Sequence, residues 1–428
     1  MEFITRVKEA LLTCIEEEVR RKAVEKATSL SAMEVEVKGM LQEVGNALMS
    51  AWLEAQEGKY PADRQACECG EQARYVRRRA GVSLTLLGRV SYRRAYYVCP
   101  HCHQGHYPLD HRLGIRPGQM SDEVVKVAAL VGVEDAYGSS RELLLQTAQL
   151  DLSANSIRRA CLQVGQQVED WEAQTLHESQ ESAHLLRQRR QDTPPDRLYA
   201  SMDGYLVRFD DGWHEMKAGA FWSVSRKGQA EAIEYYTDTA PAEAFSDLVW
   251  ARAVARRAHL AHELVFIADG ARWIWRIVQR HFPHAIQIVD WFHASSYLVK
   301  IAHAALGEGT PQACAWLEEV KAALYDGRLG SVIRACRAVA PLAPQAVADA
   351  RSYFATNRTR LRYAKFRALG FQIGSGSMES GCKQIALERL KIAGAQWSPD
   401  GARKLAKARA AFLSHQVNLS FAPLPHVA

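Results

Sequence analysis

The chain has 428 residues, of which 48% are hydrophobic and 24% are charged, so it is long enough for two or three domains with the composition of soluble globular proteins. It has no apolar run of the ~18 residues that a membrane span needs and no signal-peptide profile, which argues against a membrane protein and indicates the cytoplasm. The net charge of +6 is modest, and the nine cysteines are clustered, which favours metal binding over a disulfide scaffold.

Residues 1–58 form the first predicted segment and are helical in pattern. In the stretch MEVEVKGMLQEVGNALMSAWLEAQEG, apolar residues recur at helical spacing and form one broad stripe. The stripe consists of Met40, Leu41, Val44, Leu48, Trp52 and Leu53. Such a stripe is typical of a helix that packs on a core, but it could also serve self-association, and both interpretations stay open.

Residues 59–115 carry two close cysteine pairs with β-rich sequence between them. The pairs are Cys67 with Cys69 and Cys99 with Cys102. Paired thiolates suit tetrahedral zinc, so we expect a zinc ribbon with one structural Zn²⁺. Because the first pair is Cys-x-Cys rather than Cys-x-x-Cys, a histidine could replace one thiolate. The candidates are His101, His103 and His106.

Arginine is concentrated between Arg74 and Arg94, where seven arginines occur without an acidic residue. A second basic stretch, NRTRLRYAKFR, occupies residues 357–367, and a third lies near the C-terminus. Three such stretches, two of them interleaved with aromatic residues, favour contacts with nucleic-acid phosphates over solvated faces. In the first stretch the expected contacts with double-stranded DNA are Arg77, Arg78 and Arg79.

Residues 116–195 are predicted to be helical and to end in a linker. The stretch SRELLLQTAQLDLSANSIRRACLQVGQQ predicts two helices with a short break between them, the second capped by Ser153. This is the outline of a helix-turn-helix, whose second helix would present Arg158 and Arg159 to a DNA groove. Any two packed helices share that outline, so a purely structural pair remains an alternative.

The next segment, residues 196–294, predicts three hairpin-linked strands followed by helix, strand, helix and strand. This is the element order of an RNase H-like α/β fold, in which the first and fourth strands are neighbours. Asp203 and Asp269 should therefore meet at one end of the sheet. A helical insertion over residues 295–370 is expected to precede the second part of the core and a C-terminal helix, residues 371–428.

Two aspartates crowded at adjacent strand ends are costly unless a cation shares them, and Mg²⁺ or Mn²⁺ suits such oxygen ligands. A third carboxylate would complete a two-metal site. Glu379, in the stretch GSGSMESG before a predicted helix, is the candidate, although a merely favourable charge at the helix start is the alternative. Asp290 also ends a strand and rivals Asp269, but the strand order favours Asp269.

The motifs SMDG, FIADGA, VDWFH and GSGSMESGCKQ…KIAGAQWS resemble those of the DDE transposases of bacterial insertion sequences. The resemblance is closest to the Kra-type family, which is related to the Mutator-like group, and covers roughly residues 60–415. It implies a metal-binding triad of Asp203, Asp269 and Glu379. It also implies an all-helical insertion before the glutamate, and it matches Asp290-Trp-Phe-His293 to the aspartate-x-x-histidine signature of the broader group.

Three further residues are expected to act near this triad. His293 would either orient the scissile phosphate as a catalytic residue or hold the fifth strand against the next helix. Trp397 would either pack as a hydrophobic staple before a helix that Ser398 caps and Pro399 opens, or stack on an unpaired DNA base. Lys383, close to Glu379 in the chain, is a further expected DNA contact.

These expectations favour a DNA transposase of an insertion sequence. It would bind terminal inverted repeats and target DNA as a homodimer or higher homo-oligomer at the bacterial nucleoid, and would cut and transfer strands by two-metal chemistry. The alternative is a non-catalytic DNA-binding protein, such as a domesticated transposase or a repressor. A more distant alternative is an RNase H-like repair nuclease, which would cut DNA without joining strands.

Overall fold

The computed structural model describes residues 5, 8, 9, 12, 13, 15–17, 20, 29–56, 62–116, 118–376, 381, 384, 385, 388–392 and 394–416. They form a mixed α/β, multidomain chain, as the sequence predicted. The chain divides into two compact units: Met1–Val131 with Tyr137–Ala160, and Gly132–Ala136 with Cys161–Ala428. Within the residues described, none of the helices combines the length and apolarity needed to cross a bilayer.

The first unit contains a four-stranded antiparallel sheet whose strands lie in chain order. The strands are β1 (Arg64–Ala66), β2 (Gln72–Thr85), β3 (Gly88–Val98) and β4 (Gly105–His106). Along β3, Val90 and Tyr92 are buried whereas Ser91 and Arg93 are exposed, because successive side chains of a strand point to opposite faces. The sheet therefore has one apolar face.

A long helix, α1 (Leu30–Gln56), lies along the outer edge of β3. The side-chain amide of Asn46 donates to the carbonyl oxygen of Arg89 at 2.9 Å, and the backbone N–H of Arg93 donates to the carboxylate of Glu54 at 2.9 Å. Polar side chains of the helix thus satisfy backbone groups that an edge strand would leave unpaired.

The apolar stripe of α1 is only partly buried in the described structure. No residue of this helix is fully buried, and Leu41 and Trp52 are 65% and 51% exposed. The other four residues of the stripe, Met40, Val44, Leu48 and Leu53, are half-buried. The core-packing and self-association interpretations of the stripe therefore both remain predictions.

Five helices follow the small sheet in the chain. They are α2 (Pro108–Leu113), α3 (Asp122–Gly132), α4 (Tyr137–Ala148), α5 (Ala154–Gln180) and α6 (Ser182–Gln191). The predicted pair of helices with a short break corresponds to α4 and the first turns of α5, where Leu144 and Ile157 are fully buried. The predicted cap is confirmed, since the Ser153 hydroxyl accepts the N–H of Ser156 at 3.1 Å.

The second unit is built on a five-stranded sheet. Its strands are β5 (Arg197–Phe209), β6 (Gly212–Val224), β7 (Ala230–Asp238), β8 (Glu263–Ala268) and β9 (Ile286–Val289). Their spatial order is β7-β6-β5-β8-β9; the first three are antiparallel, whereas β8 runs parallel to β5 and β9 parallel to β8. Helices α7 (Ala242–Ala255) and α8 (Arg272–His281) link the last three strands, in the element order predicted.

Several helices are described between β9 and the C-terminal helix. They are α9 (Trp291–Leu306), α10 (Pro311–Tyr325), α11 (Leu329–Ala338), α12 (Pro344–Thr356), α13 (Tyr363–Ala368) and a single turn, α14 (Glu388–Leu390). The helix α10 begins where Thr310 caps Ala313 and Pro311 supplies a preset backbone angle. The last helix that the structure describes, α15 (Pro399–Leu413), is capped by Ser398 as predicted.

A buried charge network fixes α15 to the rest of the second unit. The ammonium of Lys407 lies 2.5 Å from the carboxylate of Glu172 and 2.6 Å from that of Asp238, and Arg252 lies 2.5 Å from the other Glu172 oxygen. Burial lowers the pKa of Lys407, but the charges of Glu172 and Asp238 outweigh it and raise this pKa above its ordinary value. Lys407 therefore stays charged inside the protein.

Candidate metal centre and acidic cleft

Four cysteines converge in the first unit. The Sγ atoms of Cys67, Cys69, Cys99 and Cys102 all lie within 4.8 Å of one another. The Cys67–Cys102 and Cys69–Cys99 separations are 3.5 Å and 3.6 Å. Zinc–thiolate bonds of about 2.3 Å in a tetrahedron place neighbouring sulfurs roughly 3.8 Å apart. The cluster could therefore bind a metal such as zinc.

Two turns at the same end of the small sheet position these thiols. Cys67 and Cys69 lie between β1 and β2, and Cys99 and Cys102 lie between β3 and β4. In the first turn the N–H of Gly70 donates to the Cys67 carbonyl at 3.0 Å, with Gly70 in a left-handed conformation that favours glycine. The shorter Cys-x-Cys spacing thus still delivers both thiols to the cluster.

The three histidines considered as substitutes differ in position. His101 and His103 are exposed, whereas the Nε2 atom of His106 lies 3.1 Å from the Cys67 sulfur. A histidine that contacts a thiolate without joining the ligand set can orient it and tune its basicity. All four cysteines are present at the cluster, so no histidine needs to replace one.

The backbone of the second turn favours a thiolate. Hydrogen bonds from the backbone N–H of Cys102 and, to a lesser extent, of His101 lower the pKa of the Cys99 thiol to about 6. Burial acts in the opposite direction but is outweighed. At Cys67 the N–H of Cys69 likewise lowers the pKa of the thiol, but burial and the neighbouring thiols outweigh it and raise the pKa to about 12. Four thiols without a cation thus cannot all ionise, and a bound metal removes that conflict.

The arginines of the β2–β3 hairpin are not equivalent. Arg94, which was not among the predicted DNA contacts, is buried, and its Nε donates to Asp110 at 2.6 Å. Arg77 is exposed, and Arg78 is half-buried. Arg79 is half-buried with its guanidinium 3.7 Å from the centroid of Tyr96. Arg77 is the most accessible of the three predicted contacts.

The helix-turn-helix candidates lie on the surface of the first unit. Arg158 and Arg159 occupy the first turns of α5 and both are exposed. Arg159 also donates to the Ser156 hydroxyl at 3.4 Å. Their placement is compatible with the predicted DNA contact.

An acidic cleft of about 530 Å³ lies at one end of the five-stranded sheet. It is lined by Ser201, Met202, Asp203, Gly204, Ala268, Asp269, Asp290, Phe292, His293, Ser296 and Ser375. Arg197 of β5 pairs with Glu263 of β8, 66 positions later, and Ala200 pairs with Phe266 in the same register. Asp203 and Asp269 are also 66 positions apart, and each follows the last residue that pairs between β5 and β8.

Backbone N–H groups hold both aspartates. The Asp203 carboxylate accepts the N–H of Gly204 at 2.8 Å, and the Asp269 carboxylate accepts the N–H of Ala271 at 2.8 Å. Gly270, which lies between Asp269 and Ala271, has a φ of +100°. A side chain at this position would collide with the Tyr353 ring. The turn after β8 therefore needs glycine to place Asp269 at the cleft.

Asp290 is buried and has a different environment. Its Oδ1 accepts the N–H of His293 at 2.7 Å, which caps α9. Its Oδ2 accepts both the N–H and the hydroxyl of Ser375, at 2.5 Å and 2.9 Å. Three hydrogen bonds engage both oxygens, so Asp290 anchors the Ser375 segment to the end of β9.

Aromatic residues of α9 and α12 form one wall beside the cleft. The rings of Tyr297 and Tyr353 stack with centroids 4.2 Å apart, and His293 lies 5.8 Å from the Tyr297 ring. The Tyr353 hydroxyl donates to the backbone carbonyl of Asp269 at 2.6 Å. Burial raises the pKa of Tyr353 most, and the electrostatic effects of Tyr297, Asp269 and Asp290 raise it further. The phenol therefore stays protonated and remains a donor.

Glu379 and Lys383 lie outside the residues that the structure describes. On one side of Glu379 in the chain, Ser375 is bonded to Asp290. On the other side, Gly381 is buried so closely against the Tyr235 ring that a side chain would collide with it.

Trp397 is 9% exposed, and its indole N–H donates to the Leu390 carbonyl at 2.9 Å. The Arg389 guanidinium lies 5.1 Å from its ring centroid. This environment favours packing over base stacking.

The sequence interpretation missed two residues of this site. Tyr353 carries no local signal, because its contact with Asp269 joins positions 84 residues apart. Ser375 lies in the glycine-rich stretch already singled out, and a serine between two glycines is the signal that could have identified it.

One protein-family model matches the chain, over residues 23–335, which is more than half of its length. That family is described as an uncharacterised protein family, UPF0236. No curated protein matches the chain.

Proposed function

The chain belongs to the uncharacterised protein family UPF0236, and we propose that it is a DDE-type DNA transposase of a bacterial insertion sequence. The observation that carries the proposal is the meeting of Asp203 and Asp269 in one cleft at the ends of neighbouring strands. The strand order, with the first strand between the second and the fourth, supports an RNase H-like core. The Kra-type motifs agree with this assignment.

The donors at the cleft fit a hard divalent cation. Carboxylate oxygens on adjacent strand ends, in an open cleft that admits water and phosphate, match the preference of Mg²⁺. Asp203, Asp269 and Glu379 are the residues that would hold it. When bound, a pair of such ions would activate the attacking oxygen and stabilise the leaving oxygen of a phosphodiester.

The other residues of the cleft position these ligands and the DNA. Asp290 fixes Ser375, four positions before Glu379, to the end of β9. Tyr353 holds the backbone of Asp269 through its hydroxyl. His293 lines the cleft beside the aspartates, where its ring can donate a hydrogen bond to a phosphate oxygen.

The first unit would bind the DNA. A structural Zn²⁺ on the four thiols would stiffen the hairpin that carries Arg77, and the first turns of α5 would present Arg158 and Arg159 to a groove. Terminal inverted repeats occur at both ends of an element, which fits action as a homodimer or higher homo-oligomer at the nucleoid.

The proposal is tested with DNA that flanks the protein's own gene. We expect the purified protein with Mg²⁺ to cut at the repeat ends and to join the released 3′-hydroxyls to target DNA. Cutting without joining would identify an RNase H-like nuclease instead. Binding to the repeats without any cutting, in Mg²⁺ or Mn²⁺, would identify the non-catalytic DNA-binding protein, an alternative that the thiol cluster and exposed arginines would equally serve.

A further inference from the structure

A long part of the second unit carries only positive charge. Residues 350–378 contain no aspartate or glutamate, but they contain five arginines and one lysine. In the sequence this part includes the second basic stretch, residues 357–367, for which contacts with nucleic-acid phosphates are expected. The structure separates its cations into two groups with different environments.

Two arginines of the stretch are occupied by packing. Arg360 donates from Nε to the side chain of Gln287 at 2.8 Å, and its guanidinium lies 4.3 Å from the centroid of Trp275. Arg367 stacks 3.6 Å from the centroid of Tyr325 and donates to the carbonyl of that tyrosine at 3.1 Å. Both hold helices of the insertion in place, and neither presents a free guanidinium.

Four cations of the stretch are exposed. Arg351 lies on α12, and the other three are Arg358, Arg362 and Lys365. Their side chains form no ion pair within the described part of the chain. These three lie on the single turn Arg358–Arg360 and at the start of α13, with buried Leu361 and Tyr363 between them. Burial of Leu361 and Tyr363 fixes the backbone of this segment, while the three cationic side chains stay on the surface.

The backbone that carries these cations is fixed beside the acidic cleft. Asn357 is buried, and its amide lies 3.1 Å from where a Cβ at Gly270 would be, next to Asp269. The Tyr363 hydroxyl donates to the carbonyl of Val289 at 3.0 Å, next to Asp290. The segment is thus held, at Asn357 and at Tyr363, to residues that flank Asp269 and Asp290.

We propose that Arg358, Arg362 and Lys365, the basic rim, bind backbone phosphates of a DNA duplex beside the acidic cleft. This inference rests on the proposed function. A cleft lined by three carboxylates repels a polyanion, and neighbouring cations offset that repulsion where the strand must enter. Exposed guanidinium groups and ammonium groups are the usual donors to phosphate oxygens.

The test is the salt dependence of binding by the full chain to a fluorescein-labelled duplex of random sequence. The triple variant Arg358→Gln, Arg362→Gln, Lys365→Gln removes the rim. A matched control, Arg328→Gln, Arg334→Gln, Arg337→Gln, removes the same charge from exposed positions elsewhere in the helical insertion. Each lost phosphate contact reduces the slope of log affinity against log salt by about 0.9.

For the rim variant we expect this slope to fall by about 2.7 with an unchanged melting temperature, and for the control we expect the slope of the unchanged protein. If both variants had the same slope as the unchanged protein, the proposed role of the basic rim would be contradicted, but the proposed function would stand. If the protein bound polyglutamate tightly through the basic rim but did not bind DNA, the rim would be a surface for acidic proteins. Absence of DNA binding by the unchanged protein would contradict both proposals.

Discussion

Asp203 and Asp269 are separated by the same 66 positions as the residues that pair between β5 and β8. Both residues follow the last paired positions, where the two strands leave the ladder and the cleft opens. Neighbouring parallel strands lie about 4.8 Å apart, so side chains in common register reach the same space. The sheet itself therefore brings two acids together, and the chemistry of the cleft depends on what shares their charge.

The thiol cluster predicts one zinc per chain. Elemental analysis of the purified protein should find it, and Cys99→Ser should lose the metal and melt at a lower temperature, because bound metal stabilises only the folded ligand set. Cys314→Ser is the control, since Cys314 is exposed and lies in α10. The zinc site would be refuted if the purified protein contained no metal and both variants were as stable as the unchanged chain.

Asp290→Asn should cost stability without abolishing divalent-metal binding. An amide keeps one acceptor oxygen but places an NH₂ group against a donor, either the N–H of His293 or the Ser375 groups. A buried unsatisfied donor costs about 1–3 kcal/mol, which urea denaturation would measure. Calorimetric titration with Mn²⁺ should give near-normal binding for this variant and greatly weakened binding for Asp203→Asn. The reverse ranking would make Asp290 the metal ligand.

Lys407→Met should be among the most destabilising single substitutions in the second unit. It leaves Glu172 and Asp238 without their shared cation, and removal of one partner from a buried ionic group costs about 3–5 kcal/mol. Lys404→Met breaks a partly exposed pair with Asp400 and should cost at most about 1 kcal/mol. Similar denaturation midpoints for the two variants would show that the network contributes little.

Local patterns sufficed for some of these features. The strand and helix order followed from hydrophobic patterns and turns, and the caps at Ser153 and Ser398 followed from residue type alone. The cysteine cluster could be anticipated because hairpins bring such pairs together.

Features that depend on distant partners could not be predicted in this way. Arg94 looked like its exposed neighbours, and only the position of Asp110 shows that it is buried in an ion pair. The anchoring of Ser375 by Asp290 joins positions 85 residues apart, which no periodicity encodes. The apolar stripe of α1 predicted a helix correctly but could not show that Leu41 and Trp52 stay exposed.

The central claim is that Asp203, Asp269 and Glu379 together make a DNA-cleaving centre. The most direct test compares cleavage and strand joining by the unchanged protein with those by Asp203→Asn, Asp269→Asn and Glu379→Gln, on flanking DNA with Mg²⁺. We predict that all three variants fold and bind terminal DNA but neither cut nor join it, because the loss of a metal position removes both activation of the attacking oxygen and stabilisation of the leaving oxygen. A helix-start charge at Glu379 would contribute only about 0.3–1 kcal/mol of stability and leave cleavage intact. Full cleavage by Glu379→Gln would contradict the account.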